Sequence, residues 1–305
     1  MVCARIFSLR WVNAFFLAIL ISLPVLALTP KVHAEGDELV SAPLGTVVTN
    51  PVKIGRVYVP LPPGEWRLIG HNTERSQLGS IWARIVLANI QNGQLRDAAF
   101  IQTVLNLNHF YGYAFYRECG RNDIFFVKVF SNYDASDQDC WLVNHSAITV
   151  GKNAPKEYLE ALDYLRSESV PIPSTMIVHW HRFANRSNFL NANFYRNPDA
   201  DGIQASATVD WRSSEWNIGR VSNFPEKQKY LQRVREFGER WHALVKIGFE
   251  GKPPSLPEAT SSMSVQPEVG ADVGARLRQL QDLRDKNLIT PSEYDERRQA
   301  ILKTL

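Results

Sequence analysis

The chain has 305 residues, with 34 Lys and Arg against 31 Asp and Glu, a net charge of +3. Apolar residues make up 45% and aromatic residues 11%, a composition that suits a globular core. This charge balance excludes a protein-wide surface for nucleic acid or anionic membrane.

Residues 1–34 read as a secretory signal peptide. Arg5 and Arg10 form a basic start, WVNAFFLAILISLPVLAL an apolar stretch, and Val32-His33-Ala34 a small-residue cleavage site. The alternative is a retained anchor, since the apolar stretch approaches the length of a membrane span. Cleavage after Ala34 removes Arg5, Arg10 and Lys31, which are the whole of the positive excess. It also removes Cys3, leaving Cys119 and Cys140. In an oxidising compartment these two have one intramolecular pairing, against the alternative of two buried thiols.

Residues 35–50 lack periodicity and read as an extension. Residues 51–251 form the body. RVYVPLPPGEWRLIGH holds two short apolar runs around a Pro- and Gly-rich turn. IWARIVLANI and LRDAAFIQTVLNL flank Asn92-Gly93, the residues of a type I′ hairpin turn. YGYAFYREC and IFFVKVF flank Gly120–Asp123 and predict a second hairpin. That layout puts the two cysteines at opposite ends of a strand, roughly 20 Å apart. A disulfide then requires SNYDASDQD to run back along the sheet edge. WLVNHSAITV predicts a further strand, and APKEYLEALDYLRSES a helix. STMIVHWHRF, NFLNANFY, SATVDWRS and WNIGRVS predict four more strands. PEKQKYLQRVREFGERWHALVKIGF predicts a long helix, with Leu231, Val234, Phe237, Trp241, Leu244 and Val245 on its apolar face. Residues 252–273, rich in Pro and Ser, read as a flexible linker. The expected fold class is therefore α+β: a mainly antiparallel β body with two packing helices, plus a small C-terminal helical hairpin.

Chemistry is sparser. His179 and His181, alternate residues of one strand, share a face. They could begin a metal site, which needs three or four ligands, or serve as hydrogen-bonded strand histidines. His71, His109, His145 and His242 are scattered, so no further ligand is named. Asn197–Gly202 resembles the front of a calcium loop but has Thr208 where the bidentate acid belongs, and reads as a turn. Asp134, Asp137 and Asp139 read as a solvated loop. No nucleophile elbow, phosphate loop or dinucleotide fingerprint occurs. A binding protein without a cofactor is the expectation; a hydrolase or metal-dependent enzyme using His179 and His181 is the alternative.

Residues 274–305 are more specific. Leu277, Leu280 and Leu283 mark one helical face, and Asn287 can take the left-handed conformation of a helix end. Leu288 and Ile289 join the helices. Thr290-Pro291-Ser292-Glu293 supplies an N-cap, a first-turn proline and a capping box. Tyr294, Ile301 and Leu302 give the second helix its apolar face. This tenth of the chain resembles the SHOCT (short C-terminal) domain through Leu277, Leu280, Leu283, Asp285, Lys286, Leu288, Ile289, Thr290, Glu293, Tyr294 and Leu302. It departs at Asn287, where the family has Gly, and at Tyr294, where it has Phe. The resemblance implies a helical module for oligomerisation or protein interaction, without catalytic residues. The expected partner is a protein or a second copy of the chain. No nucleic acid is expected, nor a membrane span after signal cleavage. The expected location is outside the cytoplasm, in the periplasm of a bacterial envelope.

Overall fold

The computed structural model describes residues 39–108, 112–148, 154–204, 210–257, 277, 280, 281, 284 and 290–302. The expected signal peptide, His109, most of the expected linker, Leu283, Leu288 and Ile289 lie outside them. So do the side chains of Ile301 and Leu302.

The body is one seven-stranded antiparallel sheet with a helix on each face and a small hairpin beside it. Strands β1 (Val52–Ile54) and β2 (Val57–Val59) form the hairpin. The large sheet comprises β3 (Arg67–Arg75), β4 (Ile81–Gln91), β5 (Gln94–Asn106), β6 (Phe126–Asn132), β7 (Gln138–Ala147), β8 (Thr175–Ala184) and β9 (Phe189–Arg196). Its order is β3-β4-β5-β9-β8-β7-β6. After β5 the chain goes to the far edge and winds back, so β9 closes against β5. Helix α1 (Lys156–Ser167) links β7 to β8, and α2 (Pro225–Phe249) follows β9. This is the α+β architecture expected from the sequence.

The β4–β5 turn is as expected: Asn92 and Gly93 have φ of 52° and 73°, the positive values a type I′ turn needs. The second expected hairpin does not form. β6 pairs with β7 around Tyr133–Asp137, while Gly112–Tyr116 is irregular and Arg117–Gly120 a 3-10 turn. Polar side chains claim that segment's backbone before a ladder can. Asn132 Nδ2 donates to Tyr116 O at 2.9 Å and Asn132 Oδ1 accepts from Tyr116 N at 3.1 Å. Gln138 Nε2 donates to Tyr113 O and Ala114 O at 3.0 and 2.8 Å. Gln138 is fixed in turn by the buried Arg182, whose Nε and Nη2 donate to its Oε1 at 2.9 and 2.7 Å. The segment before β6 thus crosses the end of the β6–β7 hairpin and delivers Cys119 to Cys140. The two are disulfide-bonded, with Cα atoms 6.1 Å apart. The expected return along the sheet edge by SNYDASDQD is not used.

The strands expected in SATVDWRS and WNIGRVS are also absent from the described residues. Residues 205–209 lie outside them, and 210–223 form turns ending in a 3-10 turn at Val221–Asn223. Short polar side chains bind nearby amides there: Asp210 Oδ2 accepts from Ser213 N at 2.8 Å, and Asn217 Oδ1 from Gly219 N at 3.0 Å. Such local bonds compete with a strand. Asn197–Gly202 forms the expected turn, its Asp201 paired with Arg196.

Helix α2 buries Leu231, Val234, Phe237, Trp241 and Val245 as its spacing predicted; Leu244 is half-buried. Each large side chain removed from water contributes about 1.5–3 kcal/mol. Helix α3 (Pro291–Leu302) opens with the expected reciprocal capping box. Thr290 N donates to Glu293 Oε2 at 2.9 Å, and Glu293 N to Thr290 Oγ1 at 3.3 Å. Leu277, Leu280, Gln281 and Arg284 are helical, with Leu280 buried, and Tyr294 Oη donates to Gln281 Oε1 at 2.8 Å. Among the described residues, no helix is long and apolar enough to cross a membrane.

Candidate functional site

Period-two alternation divides β8 between two environments. Ile177, His179, His181 and Phe183 face α2, while Met176, Val178 and Trp180 face the side where α1 lies. His179 and His181 do share a face, and all but vanish from solvent.

On that face the histidines belong to a longer string. His179 Nδ1 lies 2.8 Å from His181 Nε2, and His181 Nδ1 lies 3.0 Å from His242 Nδ1. His242 Nε2 lies 2.8 Å from Asp139 Oδ1, and Lys246 Nζ donates to Asp139 Oδ2 at 2.7 Å. Asp139 comes from β7, directly across from Phe183 of β8. His242 and Lys246 come from α2, one turn apart. The helix approaches this closely because residue 238 is glycine: a Cβ there would lie 2.8 Å from the Trp141 ring and 3.3 Å from His179 Cβ.

The electrostatics set the proton pattern. Burial opposes ionisation of Asp139, but hydrogen bonds from His242 and Lys246 outweigh it and hold its carboxyl below the usual range. An ionised carboxylate only accepts, so His242 Nε2 carries a proton. With neutral rings the rest follows in order: His181 Nδ1–H donates to His242, and His179 Nδ1–H donates to His181. Burial, with Arg196 nearby, pushes His179 down to about 3. Burial and the two flanking histidines push His181 well below its ordinary value. His179 and His181 therefore make their mutual bond as neutral imidazoles. The ring nitrogens face one another in sequence rather than a common point. Among the described residues, no group of three or more His, Cys, Asp or Glu is placed to hold a metal ion.

The opposite face holds a cleft of about 530 Å³ between α1 and the sheet. Its walls include Ile69, Val86, Phe100, Leu162, Leu165 and Met176, with the hydroxyl-bearing Tyr158 and Tyr195, whose Oη atoms lie 3.4 Å apart. It exists because α1 is anchored to one side. The carbonyl of Glu157 would lie 2.2 Å from a Cβ at Gly70 on β3, and His71 N donates to Glu160 Oε2 at 2.8 Å. Held over β3, the helix leaves part of β5, β8 and β9 without close cover. Beside the cleft lies a second chamber of about 310 Å³, and Ser146, Ala147 and Tyr195 border both.

Sequence reasoning paired His179 with His181 but missed His242, which was placed among scattered histidines. It also put Asp139 in a solvated loop, whereas the residue is buried in β7. The signals were present: His242 sits beside Trp241 on the apolar face of α2, and Asp139 alternates with Trp141 and Val143. Nothing local marked the cleft. No protein-family model, curated protein or solved structure matches the chain.

Proposed function

We propose that the chain is an exported, periplasmic binding protein. Its body holds a small, largely apolar molecule between α1 and the sheet, and its C-terminal hairpin is an association module. The cleft carries this reading. Its volume lies within the roughly 300–1,000 Å³ of small-molecule sites, and its walls are apolar with a few polar groups. The Cys119–Cys140 disulfide suits an oxidising compartment. The histidine string supports the site from behind by fixing α2 on the other face of β8.

Titration with the uncharged fluorophore phenylnaphthylamine tests the cleft. The purified protein should bind about one equivalent, and Ala161→Phe or Ala98→Leu, each filling the cleft, should weaken binding at least ten-fold. Equal binding by the wild type and by folded variants would remove the reading. Deleting residues 274–305 tests the tail: mass by light scattering should fall to that of a monomer, and an unchanged mass would remove the self-association role.

A further inference from the structure

The second chamber differs chemically from the cleft. Trp180 and His145 border it, and two of their buried ring nitrogens, Trp180 Nε1 and His145 Nδ1, have no hydrogen-bond partner among the described residues. Buried polar atoms are nearly always paired, so such a cluster beside a cavity marks where another molecule's polar atoms belong.

The roles of these atoms are defined. Trp180 Nε1 can only donate. His145 Nε2 lies 3.1 Å from Trp211 O, a carbonyl that only accepts, so the proton sits on Nε2. In the neutral ring Nδ1 is then an acceptor, and burial, opposed by the Trp211 bond and helped by Arg121, brings this histidine down to about 4. The residues reach the chamber because β6 pairs with β7 only as far as Val143, and among the described residues no strand continues along Asn144–Ala147 on that side. Trp211, stacked on His145 at 5.2 Å, and Arg121, 5.3 Å from the Trp211 ring, form part of its wall.

Charge selects further. Arg121 is already bonded to Glu118 at 2.9 Å and to Asp123 at 2.7 and 3.0 Å, and Arg212 acts on Asp123 as well. Two acids against two bases leave no unspent charge to attract an ionic group.

Resting on the cleft reading above, we infer that the ligand is an amphiphile: its apolar chain fills the α1 cleft, and its uncharged head, able both to accept and to donate a hydrogen bond, occupies the second chamber against Trp180 and His145. Fatty alcohols, primary fatty amides and monoacylglycerols have this chemistry. Ser146, Ala147 and Tyr195, common to both spaces, mark where chain meets head.

Displacement of phenylnaphthylamine by four dodecyl compounds tests this. Dodecanol and dodecanamide should compete roughly ten-fold more tightly than dodecanoate or dodecyltrimethylammonium. In Trp180→Phe the ratio of dodecanamide to phenylnaphthylamine affinity should fall by a similar factor. Equal or tighter competition by either charged head, or an unchanged ratio in a folded Trp180→Phe, overturns the inference while leaving the cleft intact. Failure of phenylnaphthylamine to bind the wild type removes the cleft reading instead. The head-group series needs no variant, so it decides the matter even where Trp180→Phe does not fold.

Discussion

Gly238 of α2 lies against the indole of Trp141 on β7, so close that a single added carbon would come within 2.8 Å of the ring. That contact sets how deep α2 sits, and depth decides whether His242, one turn further on, reaches His181 at 3.0 Å.

Gly238→Ala should therefore destabilise the protein. Alanine gains up to about 1 kcal/mol of helix propensity over glycine, but overpacking against a fixed ring costs about 1–3 kcal/mol and lifts α2 from the sheet. The expected net is a lower urea midpoint and a loss of the His181–His242 contact by NMR. A raised midpoint would show that Trp141 yields freely.

Acid should unfold the protein early. Burial holds His179 at about 3, His181 well below its ordinary value and His145 at about 4. The unfolded chain binds these protons near pH 6.5, at about the ordinary histidine value. Depressed folded values mean the stability is complete above that pH and is lost as pH falls toward the folded values. Three protons give a slope of at most about 4 kcal/mol per pH unit. Asp139, also depressed, adds loss in the same direction at lower pH. In urea titrations at stepped pH, His179→Gln should show a shallower slope by about 1.4 kcal/mol per unit. A wild-type midpoint flat from pH 7 to pH 5, on the order of this window, would contradict neutral buried rings.

The Cys119–Cys140 bridge closes a loop with a sequence separation of 21. Loop-closure entropy assigns it about 3 kcal/mol. Reduction should lower the urea midpoint accordingly and loosen Glu118 and Arg121, which line the second chamber. Mass spectrometry of the unreduced, alkylated protein should find both sulfurs blocked. Two alkylated thiols in folded protein would exclude the bridge.

Legibility followed the range of the interaction. Asn92-Gly93 announced its turn because positive φ is a property of those two residues. Thr290 and Glu293 announced a helix start because a capping box spans one turn. The hairpin expected at Gly120–Asp123 misled for the opposite reason. Its strand-like residues were outcompeted by Asn132 and Gln138, whose amides grip the backbone of Gly112–Tyr116. Side-chain capture of a distant backbone leaves no mark in the captured segment.

The sequence by itself determined the α+β class, the amphipathic face of α2, the shared face of His179 and His181, and the capped start of the last helix. Each depends on periodicity or on neighbours within a turn. Only the tertiary structure decided that His242, 61 residues beyond His181, completes the string, and that Asp139, 103 residues before His242, anchors it. It alone decided that α1, held at Gly70, leaves a cleft over β5, β8 and β9. Those outcomes depend on strand order, helix depth and the rotation of one element against another. The packing of the whole chain sets these quantities, and no short window of sequence contains them.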